Sequence, residues 1–208
     1  FSEDFEDIHV IHQNELATLV PADFYDKSCK ADYLKFNSKI LKTDFITHDD
    51  IHVNDSVNVY VPYMNINNYI FDTFGEFIYK HASSILIDSI LQKSELSESS
   101  KVYINVNRFT MECLVVGKKQ LQLYNYFEFQ TKEDFIYYIL FVFEQLDLDV
   151  ETSPIIFSGS ISKNDDLYNI AYKYIRHVEF MPHEFGFTLK TGIEAAEPHE
   201  HFVILNSF

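Results

Sequence analysis

Residues 102–129 hold three alternating apolar runs separated by turns of only a few residues, which limits the chain to folds containing an antiparallel meander. Residues 102–108 and 111–116 are the first two strands. Gly117-Lys118-Lys119 marks a turn, and Leu121, Leu123, Tyr124 and Phe127 carry the third strand. Thr131 predicts a helix N-cap, with Glu133 and Asp134 in the first turn, where the helix dipole favours anions. The helix over residues 132–146 is apolar nearly all round, which predicts burial between layers. Pro154-Ile-Ile-Phe157 reads as a short strand ending at Ser158-Gly159-Ser160. A second helix is predicted from Asp165, with Leu167, Ile170, Ala171, Tyr174 and Val178 as an amphipathic stripe and Arg176 and His177 in its last turn. The order is β-β-β-α-β-α, with further strands expected over residues 185–189 and 202–205.

The first half is similar in kind and less complete. Strands are expected over residues 8–13, 16–20 and 57–61, and a helix over 31–41. A short helix capped by Ser83 or Ser84 bears Leu86, Ile87, Ile90 and Leu91. Residues 94–101 have four serines in eight positions and no apolar periodicity, so they read as a linker. The expected division is therefore a lobe over residues 1–96 and a second over 97–208. No meander like that of residues 102–129 precedes residue 8. The chain begins on Phe1 rather than Met and is read as a fragment.

Five stretches then point to a family: Leu16-Ala-Thr-Leu-Val-Pro21, Asp32-Tyr-Leu-Lys-Phe-Asn37, Val57-Asn-Val-Tyr-Val-Pro-Tyr63, Asn65-Ile-Asn-Asn68 and Asp134-Phe-Ile-Tyr-Tyr138. Together they resemble a Bacteroidetes family known only as a domain of unknown function. The resemblance runs from about Ile8 to Phe208. It implies an α/β fold of the duplicated ribonuclease-H-like, actin-type ATPase class, with two lobes, the first lacking its opening strands.

A nucleotide-binding member of that class grips phosphates with the tight turn between the first two strands of each lobe. Such a turn needs an Asp for the metal and glycines, because only Gly lets backbone N–H groups approach a phosphate closely. The turn here is Asn105-Val-Asn-Arg-Phe-Thr110, with neither Gly nor Asp. If ATP binds at all, the candidate residues are Asn107, Arg108 and Thr110 of that turn, with Ser158, Gly159 and Ser160 at the later strand end. Residues 102–108 carry no carboxylate for a two-metal nuclease. No G-x-S-x-G elbow surrounds Ser158 or Ser160. Among nine histidines, His48 with His52 (i, i+4 on a helix) and His199 with His201 (alternating on a strand) are the pairs best spaced to seat a metal. Neither completes a recognisable ligand pattern, so no catalytic or metal residue is assigned. The acidic runs over 3–7, 49–50 and 194–200 lack the spacing of a calcium loop and read as solvated loops.

Charge narrows the partners. Sixteen Lys and Arg against thirty-two Asp and Glu give −16, which disfavours direct nucleic-acid binding and favours a basic protein partner. Two cysteines far apart suit a reducing cytosol. The longest apolar stretch, nine residues from Phe135 to Phe143, is about half a membrane span of about 20 residues, so no membrane partner is expected. The expected function is non-catalytic: protein–protein contact on an actin-like skeleton without ATPase activity, with self-association through sheet edges open. The alternative is an ATP-binding switch or ATPase, with Mg-ATP as its cofactor, whose phosphate loop lies ahead of Phe1.

Overall fold

The computed structural model describes residues 5–93, 99–118, 120–182, 197 and 199–207. Residues up to Gln92 form one compact unit, and Lys93–Asn206 form a second.

The first unit runs β1 (His9–His12), β2 (Ala17–Pro21), α1 (Lys30–Lys35), β3 (Thr47–Ile51), β4 (Ser56–Tyr60), α2 (Met64–Phe74), β5 (Ile78–His81) and α3 (Ala82–Lys93). β1 and β5 pair in parallel, His12 opposite His81. Between β1 and α2 stands an antiparallel sheet of order β2-β4-β3. On one face of it Val20, Val57 and Val59 receive Leu34 from α1, with Tyr25, Tyr33, Ile40 and Ile46 packed around. The helix expected over 31–41 stops at Lys35, where the Asn37 and Ser38 amides both return to the Leu34 carbonyl. α2, β3 and β5 have no counterpart in the sequence reading. The asparagines of 65–68 and the acids of 49–50 break the apolar patterns on which such assignments rest. Ser83 and Ser84 lie within the first turn of α3.

The second unit runs β6 (Lys101–Val106), β7 (Thr110–Gly117), β8 (Gln120–Glu128), α4 (Lys132–Gln145), β9 (Ile155–Gly159), α5 (Asp166–Tyr174), β10 (Val178–Phe180) and α6 (Phe202–Leu205). Its sheet has the order β10-β9-β6-β7-β8. β6, β7 and β8 are the antiparallel meander, and β9 returns parallel to β6. Alternation sends Val102, Ile104, Val106, Met111, Cys113, Val115, Ile155 and Phe157 to one face. There they meet Phe135, Ile136, Ile139, Val142 and Phe143 of α4, and Tyr168 and Ala171 of α5. Burial pushes the Cys113 thiol up to about 12, so this cysteine is an inert core residue.

α4 is buried on one side only: Tyr137 and Phe141 are exposed, which corrects the expectation of burial between layers. α5 ends at Tyr174, so Arg176 and His177 lie beyond it. Residues 202–205 are helical rather than a strand. The strand expected over 185–189 lies outside the described residues. The parallel pair β9 and β10, with α5 between them, repeats the order of β1, α2 and β5 in the first unit, where the three-stranded sheet is an insertion.

Thr131 caps α4 through a capping box. Its hydroxyl accepts from the Asp134 amide (3.1 Å), while Asp134 accepts from the Thr131 amide (3.0 Å). Thr131→Ala is expected to cost about 1 kcal/mol, read as a lower thermal midpoint with unchanged helix content at low temperature. An unchanged midpoint would show that the cap adds nothing.

Candidate functional site

The six residues singled out for a nucleotide come together where β6 and β9 end side by side. Asn105 pairs with Ser158 and Val106 with Gly159. Beyond Val106 the chain turns through Asn107, Arg108 and Phe109, closed by a bond from the Asn107 amide to the Thr110 carbonyl (2.8 Å). Phe109 stands exposed, with the Arg108 guanidinium 5.1 Å from its ring centre. Asn107 buries its Nδ2 without a hydrogen-bond partner. Gly159 has φ +82°, and a Cβ there would overlap the Val106 carbonyl oxygen and stand 2.9 Å from Asn105 Oδ1. Glycine is required at this position by the close approach of two strands.

The amides at this end of the sheet bond to the chain itself. Ser160 donates to the Val106 carbonyl (2.7 Å) and Gly159 to the His199 carbonyl (2.8 Å). His199 in turn donates Nε2–H to the Ile161 carbonyl (2.7 Å) and is buried against Phe180, ring centres 4.3 Å apart. His199 and His201 therefore belong to the turn that enters α6, not to one face of a strand. Beside the β6–β7 turn lies an open groove of about 600 Å³ lined by Phe109, Thr110, Glu128, Phe129, Gln130, Asp134 and Tyr138.

The face of this sheet opposite the α4–α5 core carries a polar ladder across four strands. Ser158 donates Oγ–H to Asn105 Oδ1 (3.1 Å), and Asn105 donates Nδ2–H to Glu112 Oε2 (2.9 Å). The Tyr124 hydroxyl donates to Glu112 Oε1 (2.9 Å). Ser158, Asn105 and Glu112 are all buried. Burial raises the Glu112 carboxyl above its ordinary range, against the two hydrogen bonds that favour the charged form. Sequence reasoning missed Glu112. Its signal is a single acid inside the otherwise apolar run of residues 111–116.

A second buried network lies in the first unit. Asp49 Oδ2 accepts from the His81 amide (2.8 Å) and Ser84 Oγ (2.6 Å), and its Oδ1 accepts from the Tyr60 hydroxyl (3.0 Å). Asn58 donates Nδ2–H to both Ser83 and Ser84, each at 2.8 Å. Ser83 and Ser84 thus serve this network rather than capping α3. Ser83 Oγ lies 2.7 Å from His81 Nδ1, which also accepts from the Ser83 amide (3.2 Å). Burial lowers His81 to about 4, lowers His12, and raises the Tyr60 phenol, so both imidazoles are neutral at physiological pH.

Serine, histidine and aspartate here do not form a catalytic relay. Asp49 bonds the backbone of His81 rather than its ring, and Ser83 is fully buried. His48 lies on β3 and His52 in the turn after it, so they share no helix face. Among the described residues no group of three His, Cys, Asp or Glu side chains is placed to hold a metal ion.

Comparison with solved structures identifies the architecture. A protein of unknown function with an actin-like ATPase fold from Bacteroides thetaiotaomicron superposes at a TM-score of 0.78 and 23% identity, over 86% of this chain and 70% of that one. Weaker likenesses are a PilM–PilN type IV pilus biogenesis complex (TM-score 0.48, 9% identity, 85% of this chain, 70% of that one) and an AlfA filament bound to AMPPNP (TM-score 0.37, 10% identity, 97% and 94%). Below 0.5 neither adds to the assignment. Among curated proteins nothing matches. The fold is thus the actin-like ATPase fold that the resemblance implies. With the model for a protein of unknown function (DUF3822) matching residues 1–178, the chain belongs to the DUF3822 family.

Proposed function

We propose that this protein uses the actin-like frame for protein–protein contact and does not turn over nucleotide. The observation that carries the reading is the strand end at β6 and β9. The Asn107, Gly159 and Ser160 amides all donate to the chain's own carbonyls, and the turn that would cradle a phosphate carries Phe109 in place of glycine. A phosphate arriving there would have to displace existing hydrogen bonds. The net charge of −16 favours a basic partner and speeds its encounter. The unbridged Cys29 and Cys113 suit a reducing cytosol.

Thermal unfolding of the protein with and without millimolar Mg-ATP tests this. The midpoint is expected to stay put. A ligand at about 100 times its dissociation constant adds about 2.7 kcal/mol, a shift of several degrees. Such a shift would overturn the reading and establish the nucleotide switch, with Asn107, Arg108, Thr110, Ser158, Gly159 and Ser160 as the residues to vary.

A further inference from the structure

β8 leaves one side of the five-stranded sheet open. It ends the order β10-β9-β6-β7-β8, and among the described residues no strand lies beyond it. An open edge offers a row of backbone donors and acceptors to any strand that arrives, and proteins guard such edges with shortness, proline or charge. The other sheet edges here carry those guards. β10 has three residues, β1 and β5 have four each, β2 ends in Pro21, and β3 carries Asp49 and Asp50. β8 runs nine residues without proline or lysine, and its one charge is Glu128 at the end. In a chain of −16 that stretch stands apart.

The backbone shows which groups face outward. The Phe129 amide returns to the Phe109 carbonyl (2.9 Å), on the β7 side, whereas the exposed Tyr126 amide donates to Asn125 Oδ1 (3.0 Å). An antiparallel ladder alternates, so Leu123, Asn125 and Phe127 bond to β7, and the backbone groups of Tyr124, Tyr126 and Glu128 point away from it. Side chains alternate as well. Leu123 and Phe127 pack on the α4 core, and the Tyr124 hydroxyl reaches Glu112 on the opposite face. Asn125 is exposed. The bulge in β8, opposite Val115 and Val116, lies before this stretch. Leu123-Tyr-Asn-Tyr-Phe127 therefore reads the same in both directions: apolar, tyrosine, asparagine, tyrosine, apolar.

We propose that β8 pairs antiparallel with β8 of a second copy of this chain, across a twofold axis at Asn125. Such a contact is isologous, so the strand has to complement its own reverse, and this one does. Tyr124 and Tyr126 of one copy exchange backbone hydrogen bonds with Tyr126 and Tyr124 of the other, which uses the groups that point outward. Leu123 meets Phe127 twice on the α4 side, joining the two cores, and tyrosine meets tyrosine on the other face. Glu128 falls opposite Gln122 rather than another acid. Asn125 falls opposite itself. Its side chain is released when the Tyr126 amide takes the Tyr124 carbonyl of the second copy, and the two carboxamides then bond each other. A strand from another protein would not require this reversal symmetry. The acidic surfaces of the two copies repel, but charges more than about 8 Å apart are largely screened at physiological salt. The inference is independent of the basic partner proposed above.

Sedimentation velocity of the protein over ~10 µM to ~1 mM is the test, a range suited to a contact smaller than the ~1,200 Å² of stable complexes. The mass is expected to rise with concentration from that of one chain toward that of two. Because both copies are acidic, raising the salt from ~0.1 M to ~0.5 M should strengthen the dimer, whereas it would weaken binding to a basic partner. Asn125→Lys sets two ammonium groups against each other at the axis. It should raise the dissociation constant about fivefold or more, although it lowers the overall repulsion between copies. Asn125→Glu should do the same, and an equimolar mixture of the two variants should recover the parent's association, because position 125 meets itself only at the axis. Asn125 is exposed, so neither substitution disturbs the fold. A parent that stays monomeric throughout would overturn the proposal and leave this edge to a strand of another protein. A lysine variant that associates like the parent, or a mixture that recovers nothing, would overturn it as well.

Discussion

Gly159→Ala is expected to destabilise the second unit by about 3–5 kcal/mol. Two costs combine. A non-glycine residue at φ +82° carries about 1–2 kcal/mol of backbone strain. The added Cβ also overlaps the Val106 carbonyl oxygen, a backbone atom on the neighbouring strand. Val106 cannot retreat freely, because the same carbonyl accepts from the Ser160 amide at 2.7 Å and its neighbour Asn105 is held by Ser158 and Glu112. Gly75 supplies the control: φ is +89°, yet a Cβ there meets nothing within 4 Å. Gly75→Ala should therefore show strain alone, about 1–2 kcal/mol. The chain has no tryptophan and two units, so amide hydrogen exchange of β6 and β9 reads the effect better than one global melt. Equal losses in the two variants would rule out the close approach.

The second unit was legible because local signals there agree with one another. Alternation in residues 101–128, a capping box at Thr131 and Asp134, and a glycine where β9 ends all point to the same layers. The first unit was less legible because its fold depends on distant partners. β3 reads Thr-His-Asp-Asp-Ile and is a strand only because β4 pairs with it, Asp49 opposite Asn58 and Asp50 opposite Val57. α2 opens Met-Asn-Ile-Asn-Asn, and one of those asparagines, Asn67, is buried against His12 with Oδ1 and Nε2 2.9 Å apart. The same dependence hid the two polar networks. A serine, an asparagine and a glutamate distributed over residues 105–158 carry no joint signal until the parallel return of β9 aligns them. The strand-end cluster was reached through the family resemblance, which implies where members of the actin-type class grip a nucleotide, and the structure brings those residues together at the ends of β6 and β9.

Glu112 adds a pH dependence of its own to that of the buried histidines of the first unit, whose lowered pKa values make stability fall as pH falls. Burial raises its folded pKa above the ordinary 4.5, so the folded state holds the proton more tightly than the unfolded chain does. The stability it contributes is complete below pH 4.5 and is lost as pH climbs through the raised value. Glutamine at this position has no charge to desolvate at any pH. Its carbonyl oxygen accepts from Asn105, and its amide donates to the Tyr124 hydroxyl, which reverses from donor to acceptor. Glu112→Gln should therefore match the parent near pH 4 and exceed it near pH 8 by about 1–3 kcal/mol, the difference between the two proteins growing steadily with pH. Glu112→Ala behaves differently, because it removes the acceptor of the Asn105 amide and the Tyr124 hydroxyl and opens a void. It should cost about 3 kcal/mol at pH 5, where glutamine costs little. Denaturant melts of the three proteins across pH 4–8 decide the matter. Parallel profiles for parent and glutamine variant would mean that Glu112 titrates alike in the folded and unfolded chain, and that the ladder serves geometry alone.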